Sequence, residues 1–146
     1  MKFAEFEVGQ TIVAGPREVD AAEIVAFARQ YDPQPFHVDP ERAAGGRWGG
    51  LIASGWMTCG IAMRLACDAA LDGSESFGSP GLDYLKWSAP VRAGDALTLT
   101  ATVLEKRRSS SQPTLGVLRW RWLVSNGRET VLDLVATSFF DLSGDA

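Results

Sequence analysis

Along the chain the spacing of apolar positions changes from helical to alternating, and the change divides the sequence into two kinds of element. In DAAEIVAFARQ, residues 20–30, Ile24, Phe27 and Ala28 share one helical face, Asp20 caps the start and Glu23 completes a capping box. Pro33 disfavours α backbone at Asp32, so this helix ends about there. Asp39-Pro40-Glu41 opens a second helical turn, with Pro40 at its first position and Gly45-Gly46 closing it. Residues 54–72 form the longest helical stretch, capped by Ser54 and apolar nearly all round before Asp68. A helix apolar on most sides requires protein around it.

Beyond Gly81 the period becomes two. Residues 82–91 and 96–106 read as strands separated by the turn Ala93-Gly94-Asp95. Leu118, Trp120, Trp122 and Val124 then alternate with Val117, Arg119, Arg121 and Leu123. Asn126-Gly127 is a strong hairpin signal and joins that strand to residues 130–142. A weaker strand lies near residues 10–15. The pattern predicts one α+β domain over residues 1–146, with about five antiparallel strands curled round a long central helix.

Composition narrows the partners. The chain has 146 residues, 46% hydrophobic and 22% charged, which suits a globular domain with a real core. A net charge of −4 argues against a nucleic-acid surface. The longest uncharged run near the middle, Trp48–Met63, has 16 residues and four glycines, too short and too broken to span a bilayer. Met1–Gln10 carries Glu5 and Glu7 where a signal peptide needs an apolar segment. Cys59 and Cys67 sit eight residues apart on the predicted helix, about 12 Å along its axis, too far for a disulfide. Read as two buried reduced thiols, they fit a cytoplasmic protein with no membrane partner. Neither has ligand-spaced Cys or His neighbours, so no metal site is expected.

Chemistry concentrates in YDPQPFHVDP, residues 31–40, which holds three of the seven prolines and the single histidine. Asp32 and His37 can form an acid–base pair that holds and activates a water, with Pro33 and Pro35 restricting the backbone between them. The alternative is a proline-rich connection in which Asp32 caps a turn and His37 is merely packed. Fully extended, the five intervening steps would span about 16–17 Å, so the loop must fold back before the two side chains meet. In GGLIASGW, residues 49–56, glycines lead into the long helix, whose first N–H groups lack intrahelical partners. The Gly55 amide can therefore serve as an oxyanion donor, or Gly55 can simply permit close packing at the helix start.

These stretches together resemble the MaoC-like dehydratases, the (R)-specific enoyl-CoA hydratases of the hotdog fold. The resemblance rests on residues 31–40, on Ala43-Ala44, on Gly50-Leu51-Ile52-Ala53-Ser54-Gly55, and on Pro90-Val91-Arg92-Ala93-Gly94-Asp95. It implies a hotdog fold in which Asp32 and His37 are catalytic and the Gly55 amide polarises a thioester carbonyl. The reaction implied is hydration of a 2-enoyl-CoA to a 3-hydroxyacyl-CoA, or its reverse, with coenzyme A as part of the substrate and no further cofactor. It also implies a homodimer joined through edge strands.

The sequence departs from that family at several positions. Gln34 stands where Asn is frequent, Ser54 and Trp56 replace a frequent His and a Met or Leu, and Met63 occupies the place of a helix serine. Gln34, Ser54 and Trp56 are thus candidate substrate-binding residues, and Trp56 is expected either to line the acyl pocket or to pack in the core. Arg107 and Arg108 lie in a basic stretch that is either a solvated turn or a contact for coenzyme A phosphates. Two other activities suit the same residues: a hotdog thioesterase and a non-catalytic acyl-CoA-binding module. Cys59 lacks an activating base, no G-x-S-x-G elbow exists, and Trp120 and Trp122 read as sheet packing.

Overall fold

The computed structural model describes residues 1–145. After a short 3-10 turn at Phe3–Glu5 come strand β1 (Thr11–Glu18) and helix α1 (Ala21–Tyr31). Two short helices, α2 (Pro35–Val38) and α3 (Pro40–Ala44), precede the central helix α4 (Gly55–Ala66). A single π-turn, Cys67–Leu71, extends α4, and four strands follow: β2 (Ser76–Lys86), β3 (Ala96–Arg108), β4 (Leu115–Ser125) and β5 (Thr130–Asp141). They form one antiparallel five-stranded sheet in the order β1-β3-β4-β5-β2, the hotdog arrangement of sheet and central helix.

The capping logic of the sequence is realised in α1. Glu23 N–H donates to Asp20 Oδ1 at 2.8 Å, and the Glu23 side chain accepts from the Asp20 N–H. The core forms where the inward positions of the strands meet α4. Trp120 and Phe140 from the sheet, Phe6 from the N-terminal turn and Ile24 from α1 are fully buried with it. Trp120 meets Phe6 edge-on at 5.8 Å and Trp122 edge-on at 5.3 Å, so these tryptophans are sheet packing.

The structure changes three expectations. The first concerns β2, which begins at Ser76 and leaves the sheet after Lys86 instead of spanning 82–91. Gly78, Pro80 and Gly81 look like a turn in sequence, yet β2 is an edge strand whose pairing with β5 is interrupted by three register shifts, so a missing Pro N–H is tolerated. The second concerns α4, which is buried on one side only. Met57, Thr58, Ile61, Ala62, Leu65 and Ala66 face the core, whereas Trp56 and Met63 are exposed. The third concerns the cysteines: Cys59 and Cys67 are free thiols, but half-buried ones. Among the described residues no helix is long and apolar enough to cross a membrane.

Candidate active site

Three local devices fold residues 31–37 back on themselves. Asp32 closes α1, with its N–H bonded to the Ala28 carbonyl at 2.8 Å. Gln34 then starts α2 with Pro35 at the first helical position, where a missing N–H costs nothing. One turn of α2 swings His37 back towards Asp32. His37 Nε2 lies 3.2 Å from Asp32 Oδ2, so the structure brings together the pair that the sequence placed five residues apart.

His37 is buried, and its other ring nitrogen is committed. Nδ1 lies 2.7 Å from the Ile52 carbonyl, which can only accept, so Nδ1 carries a hydrogen. Nε2 is therefore the atom turned to Asp32 and to the cavity. The Phe36 ring packs on the imidazole at 4.2 Å and helps fix its plane.

Asp32 is held on both oxygens. Gln34 Nε2 donates to Oδ1 at 2.7 Å and Ser54 Oγ donates to Oδ2 at 2.8 Å. Burial opposes the charge on Asp32, but those two hydrogen bonds and the imidazole together hold its carboxyl below the usual carboxylate value. Gln34, longer than an Asn, thus still bonds locally. Ser54 has two tasks, because it also caps α4 by accepting from the Trp56 N–H at 3.3 Å. It supplies a hydrogen-bond donor to the Asp32 carboxylate, which the thioether of Met63 cannot.

Gly55 lines the same cavity of about 450 Å³ as Asp32, His37, Trp56 and Trp87. As the first residue of α4 its N–H has no intrahelical acceptor, and none of the described residues supplies one. Close packing is also real here. A Cβ on residue 55 would come within 2.4 Å of the Trp87 ring, whose Nε1 donates to the Gly55 carbonyl at 2.9 Å. The close-packing reading of Gly55 is thus what the Trp87 contact shows.

Trp87 lines the site but is not apparent in the sequence pattern, which places it within a strand. Its position just before the Pro90–Asp95 element was the available signal. Residues 87–91 leave the sheet and run beside the entry to α4, where the Ala53 N–H bonds the Val91 carbonyl at 2.8 Å. Trp56 is 60% exposed and meets Trp87 edge-on at 5.1 Å, so it is not a core residue. It also borders a second, apolar cavity of about 730 Å³ between α4 and β2, together with Met63, Phe77 and Leu82. Arg107 and Arg108 lie elsewhere, at the end of β3. Arg107 bonds Glu105 at 3.1 Å, Arg108 donates to the Pro113 carbonyl, and neither lines the Asp32–His37 cavity. Burial pushes the Cys59 thiol up, away from a nucleophilic thiolate.

The chain is similar in sequence and fold to known proteins. Residues 3–119 match the model of the MaoC like domain. The crystal structure of the MaoC-like dehydratase from Rhodospirillum rubrum superposes with a TM-score of 0.87 at 36% identity, covering 94% of each chain. The uncharacterized protein YdeM of Bacillus subtilis is 33% identical over 118 residues, 81% of this chain and 82% of its own. The 3-hydroxyacyl-thioester dehydratase Z of Mycobacterium tuberculosis is 36% identical over 74 residues, 50% of this chain and 49% of its own.

Proposed function

Because the chain belongs to the MaoC-like dehydratase family, we propose that it adds water to a 2-enoyl thioester, or removes it from a 3-hydroxyacyl thioester, using Asp32 and His37. The observation that carries this reading is the 3.2 Å approach of His37 Nε2 to Asp32 in a cavity that also presents the Gly55 amide. The relative named as a 3-hydroxyacyl-thioester dehydratase supports the substrate class.

In the hydration direction, water sits against the two side chains on their cavity side, within reach of both. Asp32, kept ionised by Gln34 and Ser54, takes a proton from it as the oxygen bonds to the β-carbon. Electron density moves through the conjugated system onto the thioester oxygen, where the Gly55 N–H and the positive end of α4 meet it. The α-carbon then takes a proton from His37 Nε2. With Nδ1 spent on Ile52, a hydrogen at Nε2 also turns its contact with the carboxylate into a charge-assisted bond. Afterwards Asp32 holds a proton and the imidazole lacks one, and transfer across the pair restores both.

Trp56 stands between the catalytic cavity and the apolar one beside it. Its indole would limit the acyl chain to short or compact groups. A second copy of the chain would cover the edge strand β2, where Phe77 is 62% and Leu82 47% exposed, and make the homodimer. Sedimentation or light scattering tests that assembly directly. Loss of enoyl absorbance when crotonyl-CoA is added tests the reaction. Release of free thiol with crotonate as the product, and no 3-hydroxyacyl-CoA formed, would instead mark a thioesterase.

A further inference from the structure

At Trp48 the catalytic cavity adjoins another of about 520 Å³, lined by Pro35, Phe36, Arg42, Ala43, Arg47 and Trp48. Its chemistry is different. Arg42 on α3 and Arg47 on the following loop bring two guanidinium groups to it, and no Asp or Glu among the described residues lines it. Neither guanidinium has a hydrogen-bond or ion-pair partner among the described residues. The acids nearest in sequence do not neutralise them. Asp39 spends its carboxylate on capping α3 through the Arg42 backbone N–H at 3.0 Å, and Glu41 is exposed away from the lining.

Trp48, 46% exposed, is held in place from behind. Its carbonyl accepts from Arg92 Nη2 at 2.7 Å, which ties the loop to the connection between β2 and β3. Gly50 allows this closeness, since a Cβ there would lie 3.3 Å from Arg92 Nη1. In a chain of net charge −4, two unpaired arginines beside the exposed Trp48, whose backbone is anchored, make a local field that favours an anion. Arginine suits phosphate oxygens in particular, because its fork donates two parallel hydrogen bonds.

We propose that this cavity receives the phosphate-bearing end of the thioester's carrier. Arg42 and Arg47 pair with phosphate oxygens, and Trp48 packs along the arm that leads to the reacting carbons. The inference rests on the thioester reading above and moves the phosphate contact from Arg107 and Arg108 to this side of the active site.

The test begins with coenzyme A itself, measured by titration calorimetry on the full chain and on Arg42→Ala/Arg47→Ala. Affinity should fall about tenfold in the variant, the wild-type affinity should weaken with salt, and Arg42→Lys/Arg47→Lys should keep part of it. The ratio of kcat/KM for crotonyl-CoA over crotonyl-pantetheine, which has no phosphate, should fall by a similar factor. Undetectable coenzyme A binding by the wild type, or an unchanged affinity and ratio in the alanine variant, overturns the site.

Crotonyl-phosphopantetheine separates the sources of phosphate. A loss shared with it puts the arginines on the phosphate common to coenzyme A and carrier proteins, and a loss confined to crotonyl-CoA puts them on the nucleotide. The two proposals fail separately. A chain that hydrates both substrates with an unchanged ratio keeps the reaction and loses the site. A chain that turns over neither, yet loses coenzyme A on substitution, keeps the site and loses the reaction.

Discussion

Asp32 and Asp133 are both held below the ordinary carboxylate value, and they are held in different ways. Asp133, on the face of β5 opposite Leu134, takes two hydrogen bonds from Arg121 at 2.9 and 3.1 Å and one from Tyr84 at 2.8 Å. The Arg121 guanidinium is the main cause of its shift, with the Tyr84 hydroxyl adding to it against the effect of burial. Asp32 has neutral donors, Gln34 and Ser54, and its remaining neighbour is a buried imidazole facing a cavity. A permanent cation saturates the first carboxylate. The second stays charged yet keeps a direction in which a proton can move. A perturbed carboxylate is therefore a site only when its partners leave that direction open.

The comparison breaks first at the two carboxylates themselves. Asp32→Asn or His37→Ala should lower kcat by about 10²–10⁴. Asp133→Asn should leave kcat unaltered and cost at most about 1 kcal/mol of stability, as partly exposed ion pairs do. Steady-state hydration of crotonyl-CoA with thermal melts on all three reads both effects. Equal losses at Asp32 and Asp133 would erase the distinction.

A smaller effect is expected at the helix entry. Gly55→Ala drives a methyl group into the Trp87 ring, which must move and take the first turn of α4 with it. A shift of about 1 Å in the oxyanion donor should cost about 10²-fold in kcat. Gly55→Ala/Trp87→Ala should recover part of the loss because the collision is gone. No recovery would mean that the methyl group itself blocks the amide.

Ser54 sharpens the account of charge. Its hydrogen bond lowers the Asp32 pKa, so activity that needs the carboxylate persists at neutral pH and disappears only as pH falls through that lowered value. Ser54→Ala removes one stabiliser of the charge, and the acid limb of the kcat profile should move to higher pH. Loss of the α4 cap should also cost about 1 kcal/mol. An acid limb that stays in place or moves lower would contradict the role given to Ser54.

The last expected change is in selectivity. Trp56→Ala joins the catalytic and apolar cavities and should shift kcat/KM from C4 towards C8 enoyl-CoA, at about 1–3 kcal/mol for each methylene newly accommodated. Because Trp56 is exposed, its melting temperature should fall far less than a core truncation requires. An unchanged C4-to-C8 ratio would remove Trp56 from the acyl path.

Much of this was legible in the sequence because it was local. The capping box of α1, the Asn126-Gly127 hairpin and the alternation of β4 follow from neighbouring residues, and each formed as read. The meeting of Asp32 with His37 was legible as chemistry, through the prolines and the resemblance, but the distance needed the fold. Trp87 and Arg92 were not legible, because their partners Gly55 and Trp48 lie 32 and 44 residues away. The shifted start of β2 was hidden for another reason. Gly and Pro signal a turn in isolation, and only the edge position makes them compatible with a strand.

The central claim is that Asp32 and His37 act as one unit on one water, and a double-mutant cycle on hydration tests it most directly. Enoyl-CoA absorbance would be followed for wild type, Asp32→Asn, His37→Ala and the pair. The account predicts a large loss in each single variant and little further loss in the double, since groups sharing one step are not additive. Losses that multiply in the double variant, or near-normal turnover in either single one, would contradict it.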